Sequence, residues 1–88
     1  MYMYFVYILK CADNTYYTGS TQDVSKRLHQ HNSLKSGAHY TKIRRPVTLV
    51  YTEECESFAQ SRAREAEIKR LERPEKEELL INFHKKKR

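Results

Sequence analysis

An α+β domain is predicted: a small three-stranded antiparallel sheet flanked by helices, in the order β-β-α-(α)-β-α-α. Three observations predict it. Residues 4–11 and 15–20 are apolar, aromatic and β-branched runs with only Ala12-Asp13-Asn14 between them, which is the composition of a hairpin. Later stretches change to helical spacing behind an Asp, a Ser or a Pro placed to open a helix. The 88 residues leave room for one core and for no second catalytic domain, so these elements are expected to share one domain, residues 1–84, followed by a basic C-terminal tail, 85–88.

In the hairpin, Asn14 tolerates the left-handed backbone, and a three-residue loop then pairs Cys11 with Thr15. That register sets Leu9 opposite Tyr17 and Tyr7 opposite Gly19, so Tyr7 and Tyr17 share a face; a two-residue loop would separate them. Asp23 caps a helix over 24–32 whose inner stripe is Val24, Leu28 and His31, with Arg27 and His31 four apart on one flank. Residues 33–37 break that helix. Residues 38–45 read as one or two helical turns or a loop, and Pro46 requires Arg45 to be extended. A third strand is expected over 47–53 with Val47, Leu49 and Tyr51 on one face. Ser57-Phe58-Ala59-Gln60 is a capping box that opens a helix reaching about residue 71. Phe58, Ser61, Glu65 and Ile68 form its inward row, and Ala59, Ala63 and Ala66 a second, flat stripe. Pro74 suits the first position of a last helix, with Glu75, Glu77 and Glu78 at its positive end and Leu79, Leu80 and Phe83 to pack.

The chain carries 17 Lys and Arg against 11 Asp and Glu, a net charge of +6. Residues 41–84 balance at nine of each sign, and the tail 85–88 supplies four positive charges. Two readings of that tail stand side by side, a solvated terminus and a contact to a phosphate backbone. Two Gly and two Pro exclude collagen-like and low-complexity classes. The apolar N-terminal run, about nine residues, reads as a strand, and no stretch approaches the roughly 20 residues that cross a bilayer, so no membrane association is expected. Cys11 and Cys55 lie far apart with no C-x-x-C, which suggests neither zinc nor a disulfide framework; a cytoplasmic location is expected.

Four features carry chemistry: Tyr7 and Tyr17 facing together, the strand end Tyr17-Thr18-Gly19-Ser20, Arg27 one turn into the next helix, and Glu65 in an inward row. They are expected to converge on one concave site at the sheet's exposed face. Phosphodiester hydrolysis uses such groups: a carboxylate to hold a divalent metal, a planar cation to offset charge on phosphate, and hydroxyls to position or deprotonate water. Each has a plainer reading. The tyrosines suit a strand core, His31 suits a hydrogen-bonded core position, and Glu65 has Arg62 and Lys69 as helical neighbours with which to pair.

The joint spacing resembles the GIY-YIG nuclease family. Phe5-Val6-Tyr7 stands at the first tripeptide and Tyr17-Thr18-Gly19 at the second, followed by the run Tyr-x-Gly-x-x-x-Asp-x-x-Lys-Arg-Leu from Tyr17 to Leu28, by His31-Asn32, and by Glu65 with Ile68-Lys69. The first tripeptide departs from the family pattern in having Phe5 for Gly. The likeness spans nearly the whole chain and is greatest to short stand-alone bacterial members of uncharacterised function. It implies a one-metal endonuclease: Glu65 on one Mg²⁺ or Mn²⁺ as its single side-chain ligand, Arg27 on the scissile phosphate, and Tyr7 and Tyr17 around the water, Tyr7 as base, with His31 supporting them. Gly19 is expected to clear the space over the Tyr7 ring. Backbone contacts to nucleic acid, DNA before RNA, are expected from Lys26, Lys42, Arg44, Arg45 and Lys69. The rival expectations are a binding module that does not cut and a subunit whose activity waits on an unidentified protein partner.

Overall fold

A computed structural model describes residues 3–33 and 38–86, with side chains to residue 85. Of the break expected over 33–37, Ser33 is instead the last residue of α1, and 34–37, like the end of the basic tail, lie outside the described residues. The elements are β1 (Tyr4–Lys10), β2 (Tyr16–Thr21), α1 (Val24–Ser33), α2 (His39–Lys42), β3 (Thr48–Cys55), α3 (Phe58–Arg70) and α4 (Arg73–Lys86). They form the predicted α+β architecture, an antiparallel sheet in the order β2-β1-β3 with helices packed on it. Helix α4 runs as far as Lys86, into the basic tail.

The hairpin closes as the sequence requires. Asn14 sits at φ 68°, the Cys11 amide donates to the Thr15 carbonyl at 2.8 Å, and the register pairs Tyr7 with Gly19 and Leu9 with Tyr17. Asp23 caps α1 by accepting from the Lys26 amide at 3.0 Å. Ser57 caps α3 by accepting from the Gln60 amide at 3.1 Å, while the Gln60 side chain accepts from the Glu56 amide, one residue earlier than a capping box reaches.

The sheet divides two apolar clusters. On one face Val6, Ile8, Tyr51, Cys55 and Ile68 are buried against α3 and against Leu79, Leu80 and Phe83 of α4. On the other, Leu9, Cys11 and Val47 pack with Tyr17, Leu28, Tyr40 and Leu49. Strand β3 does not keep Val47, Leu49 and Tyr51 together. Its pairing with β1 slips between Ile8, opposite Tyr51, and Leu9, opposite Leu49, so Val50 is an extra residue and Tyr51 turns to the α3 face. The row on α3 also differs from expectation. Ser61, Glu65 and Ile68 are buried, but Phe58 is 59% exposed, and Ala59, Ala63 and Ala66 face solvent. The helix turns a partly polar face inward, with Ser61 and Glu65 where the inward row puts them.

Candidate active site

The odd-length loop of the β1–β2 hairpin places both tyrosines on the face covered by α1. The Tyr7 ring lies across Gly19: a Cβ there would stand 2.5 Å from the Tyr7 Oη. Tyr17 is beside it, with ring centroids 6.4 Å apart, and packs at 5.0 Å against His31 with the rings tilted by 60°. The Asp23 cap fixes where α1 begins, and hence that Arg27 and His31 project toward this pair. The Tyr7 Oη and His31 Nε2 are 2.8 Å apart, and on the far side of the imidazole Nδ1 lies 2.7 Å from the Thr41 Oγ1. Arg27 donates to Gln30 Oε1 at 2.8 Å and hydrogen-bonds to Tyr7.

This group is not on an exposed face. Tyr7 is 2% exposed and His31 is fully buried. Burial pushes the Tyr7 phenol up to about 12 even though Arg27 opposes the shift. Burial, reinforced by the charges of Arg27 and Arg45, pushes His31 down to about 4. Both groups are therefore neutral at pH 7. One consequence is measurable. Between the ordinary His value of 6.5 and the folded value of about 4, the unfolded chain binds the extra proton, so stability is full above this window and falls as pH drops through it. Urea unfolding at pH 7, 5.5 and 4.5 should show a loss of roughly 3 kcal/mol by the lower end, and His31→Gln should flatten the curve. A flat wild-type curve would mean that His31 is not held neutral. Glu65 adds its own loss only at lower pH.

Glu65 approaches from the opposite face. Helix α3 packs with the Val6 and Ile8 cluster, and its Glu65 reaches the edge strand β2, where Ser20 donates to Oε1 at 2.7 Å. Lys69 lies 2.7 Å from Oε2 and Arg62 3.7 Å from Oε1. Burial opposes ionisation here, but the hydrogen bonds from Lys69 and Ser20 with the two nearby cations outweigh it and hold the carboxyl below the usual range. The Glu65 charge is also felt at Tyr7, which it helps to raise. The plainer reading of Glu65, as partner of Arg62 and Lys69, thus holds alongside its electrostatic reach to Tyr7.

The basic residues divide. Lys26 and Lys42 are exposed on α1 and α2. Lys69 is half exposed but bound to Glu65. Arg44 and Arg45 are engaged inside the fold. Arg44 pairs with Asp13 at 2.9 Å, donates to the Tyr40 carbonyl and lies over the Tyr40 ring; Arg45 donates to the carbonyls of His31 and Gln30, closing the last turn of α1. Ser20, named in the strand end, holds Glu65, and Asn32, named beside His31, holds the Val47 backbone from both sides at 2.7 and 3.0 Å; Thr41 behind His31 is the side chain that no sequence signal singled out. Ser20 and Asn32 adjoin motif residues, whereas Thr41 reaches His31 only through the tertiary fold.

Residues 3–78 match the family model of the GIY-YIG catalytic domain, and the chain belongs to the GIY-YIG family. Its relatives are UPF0213 proteins, short stand-alone members of that family. One from Syntrophus aciditrophicus is 53% identical over 76 residues, 86% of this chain and 87% of its own length; another from Halobacterium salinarum is 48% identical over 89% of this chain and the whole of its own. The solution structure of a protein from E. faecalis superposes with a TM-score of 0.65 at 38% identity, covering 96% of this chain and 88% of that one. That of a UPF0213 protein from Bacillus halodurans gives 0.57 at 41% identity, over 89% and 82%. Among the described residues no helix is long and apolar enough to cross a membrane.

Proposed function

We propose that this protein is a metal-dependent endonuclease that hydrolyses phosphodiester bonds in DNA with loose sequence preference. The observation that carries the reading is the chain Arg27–Tyr7–His31, in which a buried phenol has a cation on one side and a neutral imidazole nitrogen on the other. A neutral phenol can take a proton from water only if its own proton leaves. His31 Nε2, 2.8 Å away, is the acceptor. The Arg27 charge that weakens His31 as a base is the charge an incoming phosphate neutralises, so substrate binding strengthens the acceptor. The guanidinium fork suits two phosphate oxygens, and Tyr17 beside the Tyr7 ring helps to confine the water.

The donor set fits a magnesium or manganese ion. Glu65 is an ionised, largely buried carboxylate beside the Ser20 hydroxyl, both hard oxygen donors. Among the described residues no group of three or more His, Cys, Asp and Glu could hold a metal, so Glu65 would be the side chain that holds the ion. When bound, the ion polarises phosphate oxygens and offsets developing charge. Lys69 must then release Oε2 and becomes free to meet the backbone together with Lys26 and Lys42.

A cleavage assay with the full chain on single-stranded, branched and nicked DNA and on RNA, with Mg²⁺ or Mn²⁺ and with a chelator, tests this. Cutting that requires the metal supports it. Binding to every substrate with no cutting in either metal would leave the non-cleaving module or the partner-dependent subunit in its place, and cutting confined to RNA would change the substrate class.

A further inference from the structure

We propose that Thr41 is a positioning residue that fixes His31 in the one tautomer able to receive the Tyr7 proton. Its importance for catalysis rests on the nuclease reading above, whereas the geometry stands apart from it. Thr41 is fully buried on the short helix α2, ten residues beyond His31, and touches no group expected to contact substrate.

The proposed arrangement rests on where the Thr41 hydrogen points: toward the Ala38 carbonyl, which also takes the Thr41 and Lys42 amides at 3.1 and 3.0 Å, rather than toward His31. The Thr41 hydroxyl has one hydrogen, and it donates to the Ala38 carbonyl at 2.9 Å. What it offers His31 Nδ1, 2.7 Å away, is therefore a lone pair, so Nδ1 carries the imidazole hydrogen. Nε2 is then bare. The Tyr7 hydroxyl donates to it across 2.8 Å, while the Tyr7 oxygen accepts from Arg27. Every hydrogen in the chain has one acceptor. In the opposite tautomer, His31 Nε2–H and Arg27 would both point at the Tyr7 oxygen, and the phenolic hydrogen would have no acceptor among the described contacts. It would also have nowhere to go as water gives up its own. A Thr suits the position because its branched Cβ restricts χ1 and holds the hydroxyl in place, and Arg45 on the His31 carbonyl at 2.5 Å secures the backbone beneath the ring.

The test reads the tautomer directly. Long-range ¹H–¹⁵N NMR of the full chain at pH 7.5 distinguishes a hydrogen on Nδ1 from one on Nε2. Wild type and Thr41→Ser are expected to show Nδ1–H for His31, and Thr41→Val, which keeps the shape and removes the oxygen, to shift toward Nε2–H. In the cleavage assay Thr41→Val should lower kcat by about 10- to 100-fold with KM little changed, and Thr41→Ser should recover most of it, as for partners that orient a reacting imidazole. Nε2–H in wild type overturns the proposal without need of any variant, even if Thr41→Val does not fold. So does a folded Thr41→Val that keeps Nδ1–H and full kcat. If the tautomer responds as described while wild type cuts nothing, the positioning role stands and the nuclease reading fails.

Discussion

Replacing Glu65 by Gln is expected to lower the rate of cleavage by roughly 10²- to 10³-fold or more while leaving nucleic-acid affinity equal or slightly tighter, the range seen when a single preorganised electrostatic group is lost. The substitution keeps the shape of the side chain and an oxygen able to accept from Ser20, so the contact to β2 survives. What it removes is the charge. Lys69 is half exposed and Arg62 more so, and pairs of that kind contribute on the order of 1 kcal/mol or less, so the fold should be retained. Taking one negative charge from a surface that must meet a polyanion does not weaken binding. Loss of rate with retained affinity, measured by single-turnover cleavage and by fluorescence anisotropy on the same substrate, is thus the signature of a group needed in the transition state. Unchanged cleavage would remove Glu65 from the site.

A methyl group at residue 19 should cost about 2 to 3 kcal/mol and lower the melting temperature by roughly 10 to 15 °C, within the usual range for overpacking a small domain. Gly19 does not have a positive φ; it is needed because an added Cβ would lie 2.5, 2.7 and 2.8 Å from the Oη, Cζ and Cε2 of Tyr7. The end of a long flexible side chain could step aside. Tyr7 cannot, because its ring is buried and its oxygen is held by His31 and Arg27. Gly19→Ala in a Tyr7→Phe background removes the nearest of the three atoms, so the two substitutions should be strongly non-additive in urea unfolding. Additive losses would place the strain elsewhere.

Much of this arrangement was legible in the residues because short-range chemistry decided it. Asn14 set the hairpin register, and through it the shared face of Tyr7 and Tyr17; Asp23 set the phase of α1, and through it the direction of Arg27 and His31. The extra residue at Val50 was not legible. No Gly or Pro marks it, and the apolar run Val47 to Tyr51 suits either face until β1 is in place. The exposure of Ala59, Ala63 and Ala66 was hidden for the converse reason: small apolar residues are good helix formers wherever they point, whereas the burial of Ser61 and Glu65 followed from their helical spacing with Ile68. Arg44 and Arg45 read as surface cations because nothing local discloses that Asp13 and the end of α1 will come to meet them.

The sheet that separates the two apolar clusters puts the parts of the proposed site under separate packing. Glu65 depends on α3 staying docked on one side, while the Tyr7–His31–Thr41 chain is closed by α1 and α2 on the other. Sub-global opening of α3 would withdraw the carboxylate and leave the proton path intact, so the fraction of molecules competent to cut is set by the opening equilibrium of α3 and can fall below the fraction that is folded. Amide exchange in α3 would then follow activity more closely than does exchange in the hairpin.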